Sequence, residues 1–329
     1  MRALFEQEGR GSFACRNILE SWAMDFNVEI CVDLMPELKG LDLRIQELKG
    51  GITNRLYRVV SSDGGDYVFR FYGAKTELFI DRDVEMENLR RLESSRVTQK
   101  LVKYLPERNV TVVEFIPGYV LKNPDFLRED LWERIMRPIR IVHQSRVHLV
   151  YHFDPLLEVK RFYKILEGIN PNYPEFDIRG TIQALDRISE IAAIAPSKYV
   201  PCHNDLLADN FVLTEDTEGD REPMVLIDWE YGGMAPPYYD VADMLQEILV
   251  PRNVERNLLR VYWDDKDLDF HQYMTDLFKP FPDIYWFLWS LIQLNISTIP
   301  FDYYGYGKVK FENAQKNIAY LRDFYQIKL

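Results

Sequence analysis

The chain has 329 residues, 47% of them hydrophobic, and a formal net charge of -12. That is enough apolar sequence for one large or two modest cores, and an acidic surface repels nucleic acid and anionic lipid while favouring cationic or metal-bound partners. Its three cysteines, Cys15, Cys31 and Cys202, lack metal-ligand spacing, which points to a reducing compartment such as the cytoplasm and away from a disulfide framework or a structural zinc.

Residues 1–40 read as a helical lead-in. LDLRIQEL, LYRVVSS and DYVFRFYG follow as strand-like runs. KGGITN joins the first two, and the turn-forming DGGD makes a hairpin of the second and third. ELFIDRDVEMENLRRLES carries Leu78, Val84, Met86, Leu89 and Leu92 among charges, an amphipathic helix, and KLVKYL and VTVVEFI are strands around the turn PERN. Pro117-Gly118 breaks this pattern and marks a domain boundary. Beyond it LREDLWERIMRPIRIVHQ, DPLLEVKRFYKILEG and IRGTIQALDRISEIAAIA have helical periodicity, and only YVPCHND, NFVLTE and PMVLIDW look extended. The most hydrophobic segment, 285–299, is interrupted by Gln293, Asn295 and Ser297, so neither a membrane span nor a signal peptide is expected.

The loop CHNDLLADNFVL concentrates polar chemistry. His203, Asp205 and Asn210 form HxDxxxxN, and the run MVLI delivers Asp228 at its end. Two carboxylates and an amide oxygen make a hard oxygen site of the kind Mg²⁺ prefers when it also binds phosphate. In phosphoryl transfer one carboxylate accepts the hydroxyl proton, which suits Asp205, while Asn210 and Asp228 suit the metal. The plainer alternative is that each residue caps or turns the backbone. A hydrolase with His203 as base and Cys202 as nucleophile fits poorly, because adjacent residues of an extended strand point to opposite faces.

CHNDLLADNFVL and LIDWEY resemble the catalytic-loop and metal-aspartate motifs of the choline/ethanolamine kinases, within the aminoglycoside-phosphotransferase and protein-kinase-like group. KGGITNRLYRV resembles that family's phosphate loop, VFRFYG its basic third strand, DRDVE its lobe-joining helix and WFLWSLIQLNISTIPFDYYGY its substrate helix, so the likeness runs in order from about residue 45 to 325. The resemblance implies an α+β, two-lobed protein-kinase-like fold: a helical extension at 1–40, a small antiparallel β-sheet N-lobe with one helix at 41–117 that binds nucleotide, and a larger, mostly helical C-lobe at 118–329. It implies ATP and Mg²⁺ as cofactors, and transfer of phosphate to the hydroxyl of choline or ethanolamine.

Residue by residue, the resemblance makes Asp205 the base, His203 a brace of the loop, and Asn210 and Asp228 the Mg²⁺ ligands. Gly50, Gly51, Thr53 and Asn54 would meet ATP phosphates with Arg70, which Glu85 would orient, and the hinge EFIPG, with Glu114 and Ile116, would meet adenine. Two glycines let backbone N–H groups approach phosphate, although Gly-Gly between strands is usually only a turn. Trp286, Trp289, Phe301 and Tyr306 would form an aromatic cage for a small alkylammonium alcohol, with Glu230, Asp240 and Glu247 also at the substrate. Trp286 and Trp289 share a helical face, a spacing that also suits plain core. Aromatic faces attract a quaternary ammonium, whereas a primary ammonium has three N–H donors and needs acceptors. After Glu247 the chain reads ILVPRN where animal choline kinases are aromatic-rich, so choline against ethanolamine stays open. A homodimer is compatible with the resemblance. Rival readings are a kinase of an aminoglycoside, thiamine or a sugar, against which WxxW and FDYYGY count, and a catalytically silent kinase-fold binding module.

Overall fold

Alternating residues build the first sheet. In the computed structural model, which describes residues 26–48, 54–73, 75–170, 172–214, 221–297 and 299–329, strands β1 (Leu43–Leu48), β2 (Asn54–Ser61), β3 (Asp66–Tyr72), β4 (Leu101–Leu105) and β5 (Val110–Glu114) form one sheet in the order β1-β2-β3-β5-β4. The β1–β2, β2–β3 and β3–β5 pairs are antiparallel. Tyr57 and Val59 on β2 and Val110 and Val112 on β5 sit two apart, so each pair faces the same side, where they bury with Phe69. The β2–β3 turn reaches φ +95° at Gly64, a left-handed conformation that glycine adopts without a Cβ penalty.

Helix α1 (Val28–Leu34) covers this face. Asn27 caps it by accepting from the Ile30 N–H at 3.1 Å, and Cys31, Leu34, Met35 and Leu38 join the core beneath the strands. The described part of the lead-in is thus packed on the sheet. Burial in this core pushes the Cys31 thiol up to about 11.

The chain divides into two compact units, the first taking its described residues up to Glu77 together with Val102–Phe115, the second Leu78–Leu101 and Ile116–Leu329. Helix α2 (Arg82–Leu92) belongs to the second unit, where the Asn88 side chain donates to the Gly232 carbonyl at 2.8 Å and accepts from the Val150 N–H at 2.9 Å.

Among the described residues eight further helices follow in the second unit: α3 (Trp132–Gln144), α4 (Pro155–Ile169), α5 (Ile178–Ala192), α6 (Pro237–Ile248), α7 (Arg252–Tyr262), α8 (Leu268–Phe278), α9 (Pro280–Ile296) and α10 (Tyr303–Phe324). Its strands are short. β6 (Gly118–Val120), β8 (Phe211–Thr214) and β9 (Met224–Leu226) make one antiparallel sheet in the order β6-β8-β9, and β7 (Val200–Cys202) pairs antiparallel with β10 (Gly233–Ala235). A large aromatic core, including Phe162, Tyr239, Tyr285, Phe287 and Trp289, lies among the helices. Helix α10 packs closely on α9: a Cβ at Gly307 would collide with the Ser290 hydroxyl. Among the described residues, no helix is long and apolar enough to cross a membrane.

If α1 is part of the sheet's core, Leu34→Ala should cost about 2–5 kcal/mol of folding stability, read by urea unfolding followed on the first unit. A cost below about 1 kcal/mol would show that α1 lies on the sheet without stabilising it.

Candidate active site

Two carboxylates on one helix hold the loop that follows β7. Asp240 and Asp243 are three residues apart on α6 and so share a face. Asp240 accepts from the N–H of His203 at 2.9 Å on one oxygen and from the N–H of Asn204 at 2.7 Å on the other. Asp243 accepts from the N–H of Leu206 at 2.6 Å and, on its second oxygen, from the Trp286 indole at 2.8 Å. The loop bends at Asn204, whose φ of +64° is uncommon outside glycine and whose side chain donates to the Tyr231 carbonyl at 3.0 Å. Burial alone would raise the Asp240 carboxyl, but the hydrogen bond from His143 at 2.8 Å and the neighbouring donors hold it below the usual range. The resemblance makes Asp240 an acid that supports the substrate site; in the structure its oxygens accept from the loop backbone and His143.

The loop presents Asp205 beside Asn210. The Asn210 amide donates to the Asp205 carbonyl at 2.8 Å and lies 3.4 Å from a carboxylate oxygen of Asp205, while its own Oδ1 accepts no hydrogen bond among the described residues. His203 donates from Nε2 to the Ile227 carbonyl at 2.8 Å, and the Ile227 N–H donates to the Asn210 carbonyl at 3.0 Å. The residue before Asp228 is thereby clamped from two sides. Asp228 has φ +64°, a costly conformation that aspartate tolerates better than most residues and that recurs at functional sites. Burial pushes the Asp205 carboxyl well up, and the charges of Asp243, Asp228, Glu247 and Glu230 add to it, so a cation entering here is attracted by several carboxylates at once.

Asp228 also has close acidic neighbours. Carboxylate oxygens of Glu85, Asp228 and Glu230 lie within 4.8 Å of one another, and Arg82 donates to both Glu85 at 2.7 Å and Glu230 at 2.9 Å. An all-oxygen donor set, with the Asn210 oxygen uncommitted, fits a hard divalent cation such as Mg²⁺.

The aromatic residues come together on α9 and α10. Trp286 and Trp289 have ring centroids 5.9 Å apart, Trp289 lies 6.4 Å from Tyr306, and Tyr306 lies 6.0 Å from Phe301. The Trp286 N–H is spent on Asp243, whereas the buried Trp289 N–H has no partner among the described residues. Glu247 accepts from Lys310 at 2.5 Å and from the Tyr306 hydroxyl at 3.4 Å. Sequence reasoning missed Asp243 and Lys310, which carry no motif of their own, and Arg82, which lies within DRDVE but was given no role. For Asp243 a signal existed, since it lies one turn after Asp240 and one turn before Glu247 on α6.

The remaining expectations fall in other places. Gly50, Gly51 and Thr53 lie outside the described residues. Asn54 is the buried first residue of β2, Arg70 lies on β3 opposite Thr111 on β5, and Glu114 closes β5; all belong to the first unit. Ile116, in the second unit, packs with Val212 and Val225.

A family profile described as choline/ethanolamine kinase matches residues 45–267. The chain belongs to the choline/ethanolamine kinase family. It is accordingly a phosphotransferase with an alcohol group as acceptor, of the protein-kinase-like α+β class. Among its relatives, ethanolamine kinase 1 of Mus musculus is 27% identical over 86% of this chain and 86% of its own length. A choline kinase from Streptococcus pneumoniae has 25% identity and a TM-score of 0.75 over 88% of this chain and 98% of that one. An aminoglycoside 2'-phosphotransferase solved with GDP, at 15% identity and TM-score 0.62 over 91% of this chain and 99% of that one, shares the fold.

Asp283, on α9, supplies a pH test. Burial raises its carboxyl from 3.8 to about 8 against the opposing charge of Lys310. Folding therefore favours its protonated form, so the stability it contributes is fully present below about pH 4 and is lost as pH rises through about 8. Asparagine has the same shape and does not titrate. The difference in unfolding free energy should move steadily in favour of Asp283→Asn between about pH 5 and 8, and a pH-independent difference would contradict the assignment.

Proposed function

We propose that the protein transfers the γ-phosphoryl group of ATP to the hydroxyl of a small alkylammonium alcohol, with ethanolamine ahead of choline. The observation that carries this reading is the bridge from Leu206 through Asp243 to Trp286, because it ties the loop bearing Asp205 to the helix bearing the aromatic residues. A two-carbon substrate must place its hydroxyl at one and its ammonium at the other. Asp205 serves as the base that accepts the hydroxyl proton, held on the loop beside Asn210. His203 and Asp240 keep the loop in position, so little reorganisation is needed when substrate arrives.

Asn210 and Asp228, with Glu230 nearby, would hold Mg²⁺, which in this chemistry neutralises phosphate charge. Arg70, with charge at any ordinary pH and two parallel donors, suits the nucleotide phosphates, and the segment 50–54 is proposed to meet them as well. Trp289, Phe301 and Tyr306 offer ring faces to the ammonium, and Glu247 offers a carboxylate. The preference for ethanolamine rests on that carboxylate, on the absence of an aromatic run after it, and on relatives such as the Mus musculus protein being named ethanolamine kinases. The buried free thiols of Cys31 and Cys202 support a cytoplasmic location.

The direct test is ADP release on mixing the protein and MgATP with ethanolamine, choline, thiamine or kanamycin in turn. Release should depend on ethanolamine and, more weakly, choline; release with thiamine or kanamycin alone would replace the substrate class. Asp205→Asn should lower kcat by at least about a hundredfold while nucleotide still binds, and a loss under about tenfold would sink the base assignment. Trp289→Ala should raise the choline KM by about ten- to a hundredfold and leave the ATP KM nearly unchanged, since a desolvated cation–π contact is worth roughly 2 kcal/mol. Equal rises in the two KM values would make Trp289 a core residue only.

A further inference from the structure

Beside the carboxylates of Glu247 and Asp283 stands a buried ammonium. Lys310, on α10, is 4% exposed. Its Nζ donates to Glu247 Oε1 at 2.5 Å and to the Gln246 carbonyl at 3.1 Å, lies 4.0 Å from Asp283 Oδ1, and sits 5.7 Å from the centre of the Tyr306 ring. Burial opposes its charge, but Glu247 and Asp283 more than compensate and hold its proton affinity above the ordinary lysine value. Tyr306, four residues earlier on the same face of α10, donates to the same Glu247 oxygen at 3.4 Å.

Both donors therefore converge on Oε1. Oε2 of Glu247 accepts no hydrogen bond among the described residues, and the side chain keeps 13% of its area accessible. A carboxylate tethered through one oxygen is fixed in orientation, and the untethered oxygen can accept a hydrogen bond from a group that carries an N–H. A primary ammonium carries three such donors; a quaternary ammonium carries none.

We propose that Lys310 is a positioning residue that fixes Glu247 by one oxygen and leaves the other to receive a primary ammonium, thereby setting the preference for a primary over a quaternary ammonium substrate. The inference rests on the proposed function, since it assumes that an alkylammonium alcohol occupies this site. A purely structural ion pair would also bury Lys310 beside Glu247, but it would affect both substrates alike, as buried pairs are weak contributors to net stability yet costly to break.

The experiment is a comparison of Lys310→Met, Lys310→Arg and the parent with ethanolamine and choline at saturating MgATP, with folding checked by thermal unfolding. Lys310→Met should raise the ethanolamine KM by about tenfold more than the choline KM, with kcat and the ATP KM nearly unchanged, and Lys310→Arg should restore most of the ratio. Because Lys310→Met leaves buried acids without their cation, the double variant Lys310→Met/Asp283→Asn removes one acid with the lysine and should show the same change of ratio. Equal KM rises for both substrates, or tighter binding of both by a common factor, would overturn the inference and leave the proposed function standing. A parent protein that releases ADP with neither alcohol would overturn both.

Discussion

Two carboxylates one turn apart on α6 carry the geometry of the candidate site. The loop from His203 to Leu206 turns through an unfavourable backbone conformation at Asn204, and its N–H groups have no strand or helix to pair with. A buried N–H without an acceptor costs about 1–3 kcal/mol, so such a loop is unstable unless acceptors are brought to it. Asp240 takes the N–H groups of His203 and Asn204, and Asp243 takes that of Leu206. With the backbone satisfied from below, the side chains of His203, Asp205 and Asn210 are released for other work. Asp243 adds a second consequence through Trp286, because the same side chain that holds the loop also fixes the register of α9 against it.

A ring of like charge follows from this arrangement. Burial, with charge from neighbouring acids, raises the proton affinity of Asp205, Asp243 and Asp283, whereas the donors around Asp240 hold its own low. Such a cluster is costly in an empty protein and favourable once cations enter. Lys310 supplies one permanent positive charge, and Arg82 supplies another between Glu85 and Glu230. The metal and the substrate's ammonium group would supply the rest, which gives the proposed phosphoryl transfer an electrostatic reason for its two cationic participants.

Much of this was legible in the sequence. Strand-like composition announced β2 and β5, the DGGD and PERN turns fell where the chain reverses, and α2, α3, α4 and α5 followed the apolar periodicity of their segments, whereas α7 and α8 carried no such reading. β6 and β10 escaped because each has three residues, too few to establish a period, and Gly118 reads as a breaker although it opens β6. The neighbourhood of Asp205 and Asn210 could be anticipated from their spacing, since a short loop keeps both near its mouth. The partners of Glu247 could not: Lys310 lies 63 residues later in the chain, and only the packing of α10 on α9 at Gly307 brings it there. Long-range ion pairs of this kind leave no local periodicity to read.

Asp240 and Asp243 hold the loop ready before any ligand binds. Amide hydrogen exchange of the ligand-free protein, resolved at His203, Asn204 and Leu206, measures this directly. These three amides should be protected to the level of neighbouring α6 in the parent and lose that protection, while the core of α5 keeps its own, when Asp240 and Asp243 are both replaced by Ala. Exchange of all three at the rate of an open loop in the unliganded parent would mean that the loop is organised only by its ligands, and would contradict the account.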